Sequence, residues 1–402
     1  MKINFLIFDV YGMGGTVRTV LNVTNYLAKT GYDVEIISVF RHRQKAFFDI
    51  DPRIKVTVLH DVVNRDKNQK GFKNKVSNYL MNRKSRLIHS DDEGYHFFSL
   101  LTDIKMFNYI KTIQEGIIVS TRPSFNIFTA KYANKGVKII GQEHLNFSIY
   151  PPRMKKSLLK NYIHLDFLAT LTDEDTDDYK KLLKKGKVKV EKLTNSIPAL
   201  QGVTSNVESK VIIAAGRLVE QKGFDLLIES FSVVNQIHPD WQLKIFGSGR
   251  DKQKLEDLIT EKKLYNHVFL MGPTQNIEIE LANSSIYALS SRFEGFGMVI
   301  IEAMQCGVPV VSFDCPKGPS EIISHNVDGL LIENGNTEKL ANGMIELIEN
   351  KEKRRAFSVK AMKNVKRYEI ENIGQLWEKL IDEIFSENEE HNLRISETTK
   401  TF

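Results

Sequence analysis

Cysteine is nearly missing: two residues, Cys306 and Cys315, in a chain of 402. Both stand in apolar or loop context without the paired spacing of a zinc site. The expected state is free thiols in a reducing cytoplasm, not a disulfide framework. No uninterrupted apolar run approaches the roughly 18 residues of a membrane-spanning helix. The opening stretch Lys2-Ile3-Asn4-Phe5-Leu6-Ile7-Phe8-Asp9 ends too soon, in an aspartate, to be a secretory signal. It reads as a buried strand. Acidic residues are scarce in one half only. Residues 1–200 hold 33 Lys and Arg against 20 Asp and Glu, or +13. Residues 201–402 hold 23 against 30, or −7, which closes on the whole-chain +6. A basic half implies an anionic partner: nucleic acid, an anionic polymer or an anionic membrane surface. No RNA- or DNA-binding motif accompanies it, so nucleic acid is the weakest of the three.

Two halves repeat one plan. In the first, the strand Ile3–Phe8 meets the turn Asp9-Val10-Tyr11-Gly12-Met13-Gly14-Gly15-Thr16. A run of helical period, Val17–Lys29, leads to a second strand over residues 32–39. That is a βαβ unit and predicts a parallel sheet. Further strands are expected at 116–120, 137–141 and 167–172. In the second half, strands are expected at 210–216, 242–247, 268–271, 286–289 and 309–313, with helices at 224–234, 251–263 and 298–306. The polar, aperiodic stretch near 195–208 reads as the linker. The expected fold class is α/β, with two doubly wound Rossmann-like domains, 1–200 and 201–370, facing across a cleft. Residues 371–402 are expected to form a helix, packing back on the first domain, and then a disordered tail beyond residue 386.

The most informative stretch is Glu294-Gly295-Phe296-Gly297-Met298-Val299-Ile300-Ile301-Glu302. Two carboxylates are separated by a glycine turn and an apolar helix start. The first amides of a helix have no partner within it, so those of Phe296, Gly297, Met298 and Val299 are placed to hold an anion such as a diphosphate. Eight residues at helical rise span about 12 Å, the reach from sugar to ribose in a nucleotide-sugar. A capped core helix with two unrelated glutamates would also produce this pattern. The second stretch is Ala215-Gly216-Arg217-Leu218-Val219-Glu220-Gln221-Lys222-Gly223-Phe224. It places Arg217 and Lys222 at the carboxyl end of a strand, where two cations can neutralise a leaving diphosphate.

Together these segments resemble the E-x7-E and G-R-L-x-x-x-K-G signatures of the GT4 family of retaining GT-B glycosyltransferases. The resemblance is ordered from residue 211 to about 340 and looser in the first half. It implies that Arg217 and Lys222 bind the donor diphosphate, that Glu302 holds the ribose and that Glu294 acts on the sugar. It also implies phosphate contact from Gly14 and Gly15, and donor contacts from Gly247, Gly272 and Pro273, the last two near the uracil. His144, in Gly141-Gln142-Glu143-His144, takes the family position beside the reacting carbon. Arg122 and Glu143 are candidate acceptor contacts. A dinucleotide reading of Gly12-x-Gly14-Gly15 fails for want of a third glycine and of an acidic residue at the end of the next strand, where Val39-Phe40-Arg41 stands.

Neither a metal nor another cofactor is expected beyond a UDP-sugar substrate. Of two formal D-x-D matches, Asp49-Ile50-Asp51 and Asp173-Glu174-Asp175, the second suits the acidic first turn of helix 174–185, capped by Thr172 or Asp173. The expected function is retaining transfer of a hexose or N-acetylhexosamine to a cell-envelope polysaccharide, teichoic acid or lipid-linked glycan. Two alternatives stay open: a nucleotide-sugar epimerase of the same architecture, and an inactive glycan-binding partner subunit. Arg65, Lys67, Lys70, Lys73, Lys75, Arg83, Lys84 and Arg86 are interleaved with Phe72, Val76, Tyr79, Leu80 and Met81. Either an amphipathic helix on an anionic membrane or a solvated loop accounts for them. The expected location is cytoplasmic, with peripheral membrane contact in the first case.

Overall fold

In the computed structural model the described residues are 2–64, 72–200 and 202–399, without the side chains of 72–74 and 385–399. The chain divides into two compact units, Met1–Ser196 with Ile370–Phe402, and Ile197–Glu369. Ile197 and Glu369 form a β-bridge, so the two points where the chain passes between units lie side by side.

The first unit is built on seven parallel strands: β1 (Lys2–Ile7), β2 (Asp33–Arg41), β3 (Lys55–Asp61), β4 (Gly116–Ser120), β5 (Val137–Gln142), β6 (Phe167–Thr170) and β7 (Lys189–Lys192). Their order is β3-β2-β1-β4-β5-β6-β7. Successive residues of β1 serve two cores, as alternation along a strand requires. Ile3, Phe5 and Ile7 pack with helix Gly15–Lys29, while Leu6 packs with Met106, Phe125 and Phe128.

The second unit has six parallel strands: β8 (Val211–Ala215), β9 (Gln242–Phe246), β10 (Val268–Gly272), β11 (Ile286–Leu289), β12 (Val310–Phe313) and β13 (Gly329–Ile332). Their order is β10-β9-β8-β11-β12-β13. Ile212, Ala214, Ile245, Ala288 and Val311 line one core with Leu227, Phe231 and Val234 of helix Phe224–Ile237. In each sheet the winding direction reverses once, between β1 and β4 and between β8 and β11. At such a reversal neighbouring loops diverge and leave a crevice at the carboxyl ends of the strands.

The C-terminal segment departs from expectation. It is a single helix, Ile370–Thr399, running through the stretch where a disordered tail was expected beyond residue 386. Ile370, Ile373, Trp377, Leu380, Ile381 and Ile384 repeat every three or four residues and are buried in the first unit's core. That anchored start supplies the nucleus, after which each added helical residue costs little. Strands β3 and β7, and helices Leu100–Thr112, Pro123–Tyr132 and Pro152–Tyr162, were not anticipated from the sequence pattern.

Candidate active site

In the second unit the loops after β8 and β11 emerge from adjacent strands at the sheet's reversal point. They bring Lys222 and Glu294 together. Lys222 Nζ lies 2.5 Å from Glu294 Oε1, with side chains 17% and 7% exposed. A carboxylate and an ammonium that far from water each need a partner, so the pair holds the two loops in one arrangement. Ser291 Oγ donates a second hydrogen bond to Glu294 Oε1 at 2.6 Å.

The loops are tied at further points. Arg292 grips Asp225 with two bonds of 3.0 and 2.8 Å, and the Gln221 side chain donates to the Phe293 carbonyl at 3.0 Å. This fork holds Asp225 in its charged form: against the opposing effect of burial, its pKa lies below the usual carboxylate value. Gly223 turns the chain into helix Phe224–Ile237 with φ of 60°. A Cβ there would enter the Ser290 carbonyl, so only glycine allows the two loops this approach. Gly318 likewise rests against the Phe296 carbonyl and the Glu294 Cβ. Cys315 is within range of both Glu294 and Lys222. Burial first, and then the Glu294 charge, pushes its thiol up to about 12. Neither Cys306 nor Cys315 is joined in a disulfide, and both are buried.

Helix Met298–Gln305 begins at Gly297, so only the second half of the Glu294–Glu302 interval is helical. The 12 Å ruler is corrected accordingly: Met298 to Glu302 advances about 6 Å, and a non-helical turn sets the remainder. Glu294 and Glu302 are both buried, at 6% and 5% exposure. Burial first, and then the charges of Glu294 and Glu302, raise the pKa of the buried Tyr287 phenol on β11. Phe296 is buried edge-on to Tyr368. Arg217 is exposed, and its guanidinium donates to Gln221 at 3.3 Å. Gly247 N–H donates to the Gly272 carbonyl at 2.8 Å, and Leu218 N–H to the Ser248 carbonyl at 2.9 Å. The loops after β8, β9 and β10, with exposed Pro273, are therefore stitched into one rim.

Gly14, Gly15, Arg122, Glu143 and His144 belong to the first unit. Gly14 caps helix Gly15–Lys29, and both glycines are exposed directly after the β1 turn. His144 follows β5. The residue is partly exposed, but its Nε2 is buried and has no hydrogen-bond partner among the described residues. Burial lowers its pKa to about 4, so the ring is neutral at pH 7.

Two expectations of direct acceptor contact do not fit the side chains. Glu143 points inward and is 2% exposed. It accepts hydrogen bonds from Tyr150 at 2.6 Å, from Asn126 at 3.3 Å and from Tyr162. Burial raises its pKa to about 7. Arg122 is committed to Asp92 and the Glu93 carbonyl, and its guanidinium lies 5.2 Å from the Phe8 ring centre. The D-x-D matches are also accounted for. Thr172 caps helix Asp173–Leu182 by accepting from Asp175 N–H, and Asp51 pairs with Arg53. Among the described residues no three His, Cys, Asp or Glu side chains are grouped to hold a metal ion.

Sequence reasoning missed Ser291, Arg292 and Gln221. Ser291 and Arg292 stand just before Glu294, but polar residues beside a strand end are common, and only the fold shows their partners. Of the basic stretch, Arg65, Lys67, Lys70 and the Lys73 side chain lie outside the described residues. The remainder includes helix Phe72–Met81, which exposes Lys75, Val76 and Tyr79.

Two units with parallel sheets, each wound in Rossmann order, constitute the GT-B fold of glycosyltransferases. The second unit carries the domain described as Glycosyl transferases group 1, matched over residues 199–364. An exopolysaccharide phosphotransferase of Streptomyces coelicolor is 31% identical over 398 residues. That match takes in 97% of this chain but only 41% of the relative, so the chain spans less than half of that protein's length. An uncharacterized glycosyltransferase of Haemophilus influenzae is 29% identical over 385 residues, covering 94% of this chain and 99% of the relative. Among solved structures, a mutant of S. aureus TarM in complex with fondaparinux, alpha-GlcNAc-glycerol and UDP superposes with a TM-score of 0.76. It is 20% identical, and the match covers 94% of this chain and 99% of TarM.

Proposed function

We propose that this protein is a retaining glycosyltransferase of the GT4 type. It moves a hexose or N-acetylhexosamine from a UDP-sugar to a cell-envelope polysaccharide, teichoic acid or lipid-linked glycan. The observation that carries the reading is the buried Lys222–Glu294 pair at the reversal point of the second sheet, beside the helix start at Met298. A sugar diphosphate needs a cation for its leaving group and a carboxylate for its hydroxyls, and the pair supplies both within one contact. The fold shared with a UDP-bound TarM supports UDP as the nucleotide.

In the proposed reaction the bond from the anomeric carbon to the diphosphate oxygen breaks. The acceptor hydroxyl oxygen bonds to that carbon on the same face, and its proton passes to the departing phosphate. Lys222, Arg217 and the amides of Phe296–Val299 stabilise the charge that develops on the diphosphate. Glu302 holds the ribose. Glu294 and neutral His144 orient the sugar, His144 as a hydrogen-bonding group and not as a cation. The reading places the protein at the cytoplasmic face of the cell envelope, in contact with anionic lipid through residues 65–86. Sedimentation with anionic vesicles tests that contact. Among the described residues no helix is long and apolar enough to cross a membrane.

The deciding experiment incubates the protein with individual UDP- and GDP-sugars and measures released nucleotide. Slow hydrolysis of one UDP-sugar, abolished in Glu294→Gln and Lys222→Ala, is the expected result. Silence with every donor, or an epimerised sugar formed without acceptor, would overturn the reading.

A further inference from the structure

The carboxyl ends of β1, β2 and β4 in the first unit carry a polar and aromatic cluster that the reaction above does not use. Its centre is His42, the residue after β2. His42 Nδ1 lies 2.8 Å from Asp9 Oδ2, and the His42 backbone N–H donates to the same oxygen at 3.0 Å. Tyr11 N–H occupies Asp9 Oδ1 at 2.9 Å. A carboxylate so placed only accepts, so Nδ1 carries the proton and Nε2 is the ring atom left for a ligand. The Asp9 side chain is 6% exposed, whereas that of His42 is 33% exposed. The pair is thus anchored below and open above.

Aromatic rings surround it. His42 stacks on Phe8 at 6.1 Å and meets the edge of Phe97 at 5.7 Å. Phe97 is half exposed, on the short turn Tyr95–Phe97, and contacts Phe8 at 5.6 Å. Arg122 fixes Phe8 from the β4 side. Directly after His42, Arg43 and Lys45 are exposed, and neither has a carboxylate within ion-pair reach among the described residues. Arg41 is different: it bonds the Arg43 and Gln44 carbonyls and Asp61, and so shapes this turn. Arg43 rests its guanidinium over the Phe47 ring at 5.8 Å, which leaves its charge without a carboxylate partner among the described residues. An exposed aromatic face, one oriented imidazole nitrogen and two cations without carboxylate partners there suit a sugar ring that carries, or adjoins, an anionic group.

The position along the sheet supplies the length scale. Strand order β2-β1-β4-β5 separates His42 from His144 by three strand spacings, about 14 Å at ordinary sheet geometry. We propose that His42, Phe97, Arg43 and Lys45 form a distal acceptor subsite, which takes one ring of an anionic glycan chain two to three units from the reacting end. The inference rests on the glycosyltransferase reading above.

The test uses the full chain, UDP, and a ladder of uronate-containing GlcNAc oligosaccharides of two, four and six units, followed by titration calorimetry. Wild-type protein is expected to bind UDP, and to bind the hexasaccharide roughly tenfold more tightly than the disaccharide. Phe97→Ala and His42→Ala are expected to erase that length advantage while disaccharide affinity stays within twofold. Phe97→Tyr is expected to retain it. Phe97 is exposed, so Phe97→Ala keeps the test valid should His42→Ala unfold, and circular dichroism reports folding for each variant. No UDP binding by wild type would overturn the donor reading and this inference with it. UDP binding without a length advantage, or a length advantage that survives in folded Phe97→Ala, would overturn the subsite alone.

Discussion

Lys222 and Glu294 are each other's main neutralising partners, so single and double substitutions should differ in kind. Replacing Lys222 by Ala leaves a 7%-exposed carboxylate without its cation. The expected loss is about 3–5 kcal/mol of stability, read by denaturant unfolding. The double variant Lys222→Ala, Glu294→Gln should recover much of it, since neither charge of the pair then remains, yet stay inactive. Full recovery of turnover by the double variant would refute the assigned roles. Glu143 makes a pH prediction. Its folded pKa, about 7, stands above the ordinary carboxyl value of 4.5. The folded state therefore holds the proton more tightly. Its contribution is fully present below about pH 4.5 and is lost as pH rises through 7, a change on the order of 3 kcal/mol. Glu143→Gln should flatten that dependence in melting curves measured between pH 5 and 8. Of these residues, Lys222 and Glu294 stood out in the sequence as candidates, but their pairing did not. The inward turn of Glu143 was not, because nothing near it in sequence announces that Tyr150 and Tyr162 close over it.

The loops that carry the site depend on close backbone approach. Gly223→Ala would put a Cβ into the Ser290 carbonyl at a left-handed φ of 60°. The backbone term alone costs about 1–2 kcal/mol. Because the clash separates the loops that hold Lys222 and Glu294, UDP affinity should fall as well, by calorimetry. A variant that melts lower but binds UDP normally would show that the turn is structural only. Strands with strong apolar runs were readable nearly to the residue: 116–120 and 286–289 match the structure's β4 and β11. The missed β3 is exposed at Lys55 and only partly buried from Val56 to Asp61, and its Lys55-Val56-Thr57-Val58-Leu59-His60-Asp61 is too mixed to stand out. Helix Pro152–Tyr162 was missed because its apolar residues are sparse among lysines, and Met154, Leu158 and Tyr162 bury themselves only once β5 and β6 are in place.

For the molecule as a whole, the C-terminal helix is the long-range commitment. Deleting residues 370–402 would strip Trp377 and five apolar neighbours from the first unit's core. Loss of one such large side chain costs about 3–5 kcal/mol. Calorimetry should show the first unit's transition lowered or abolished and that of the second unit, whose core draws nothing from the segment, unchanged. Equal effects on both transitions would count against two independent cores. Periodicity and glycine placement sufficed to foresee two Rossmann-like units and most of their parallel strands, and to single out the two stretches of the second unit that the structure brings together. These are local properties, decided by apolar spacing and backbone freedom over ten or so residues. Only the tertiary structure decided that Lys222 pairs with Glu294, that Glu143 and Arg122 are committed to partners of their own, that His42 rests on Asp9, and that the last helix continues past residue 386. Each of those depends on groups far apart in the chain, and burial, which sets their partners and their protonation, does not exist until the sheets are assembled.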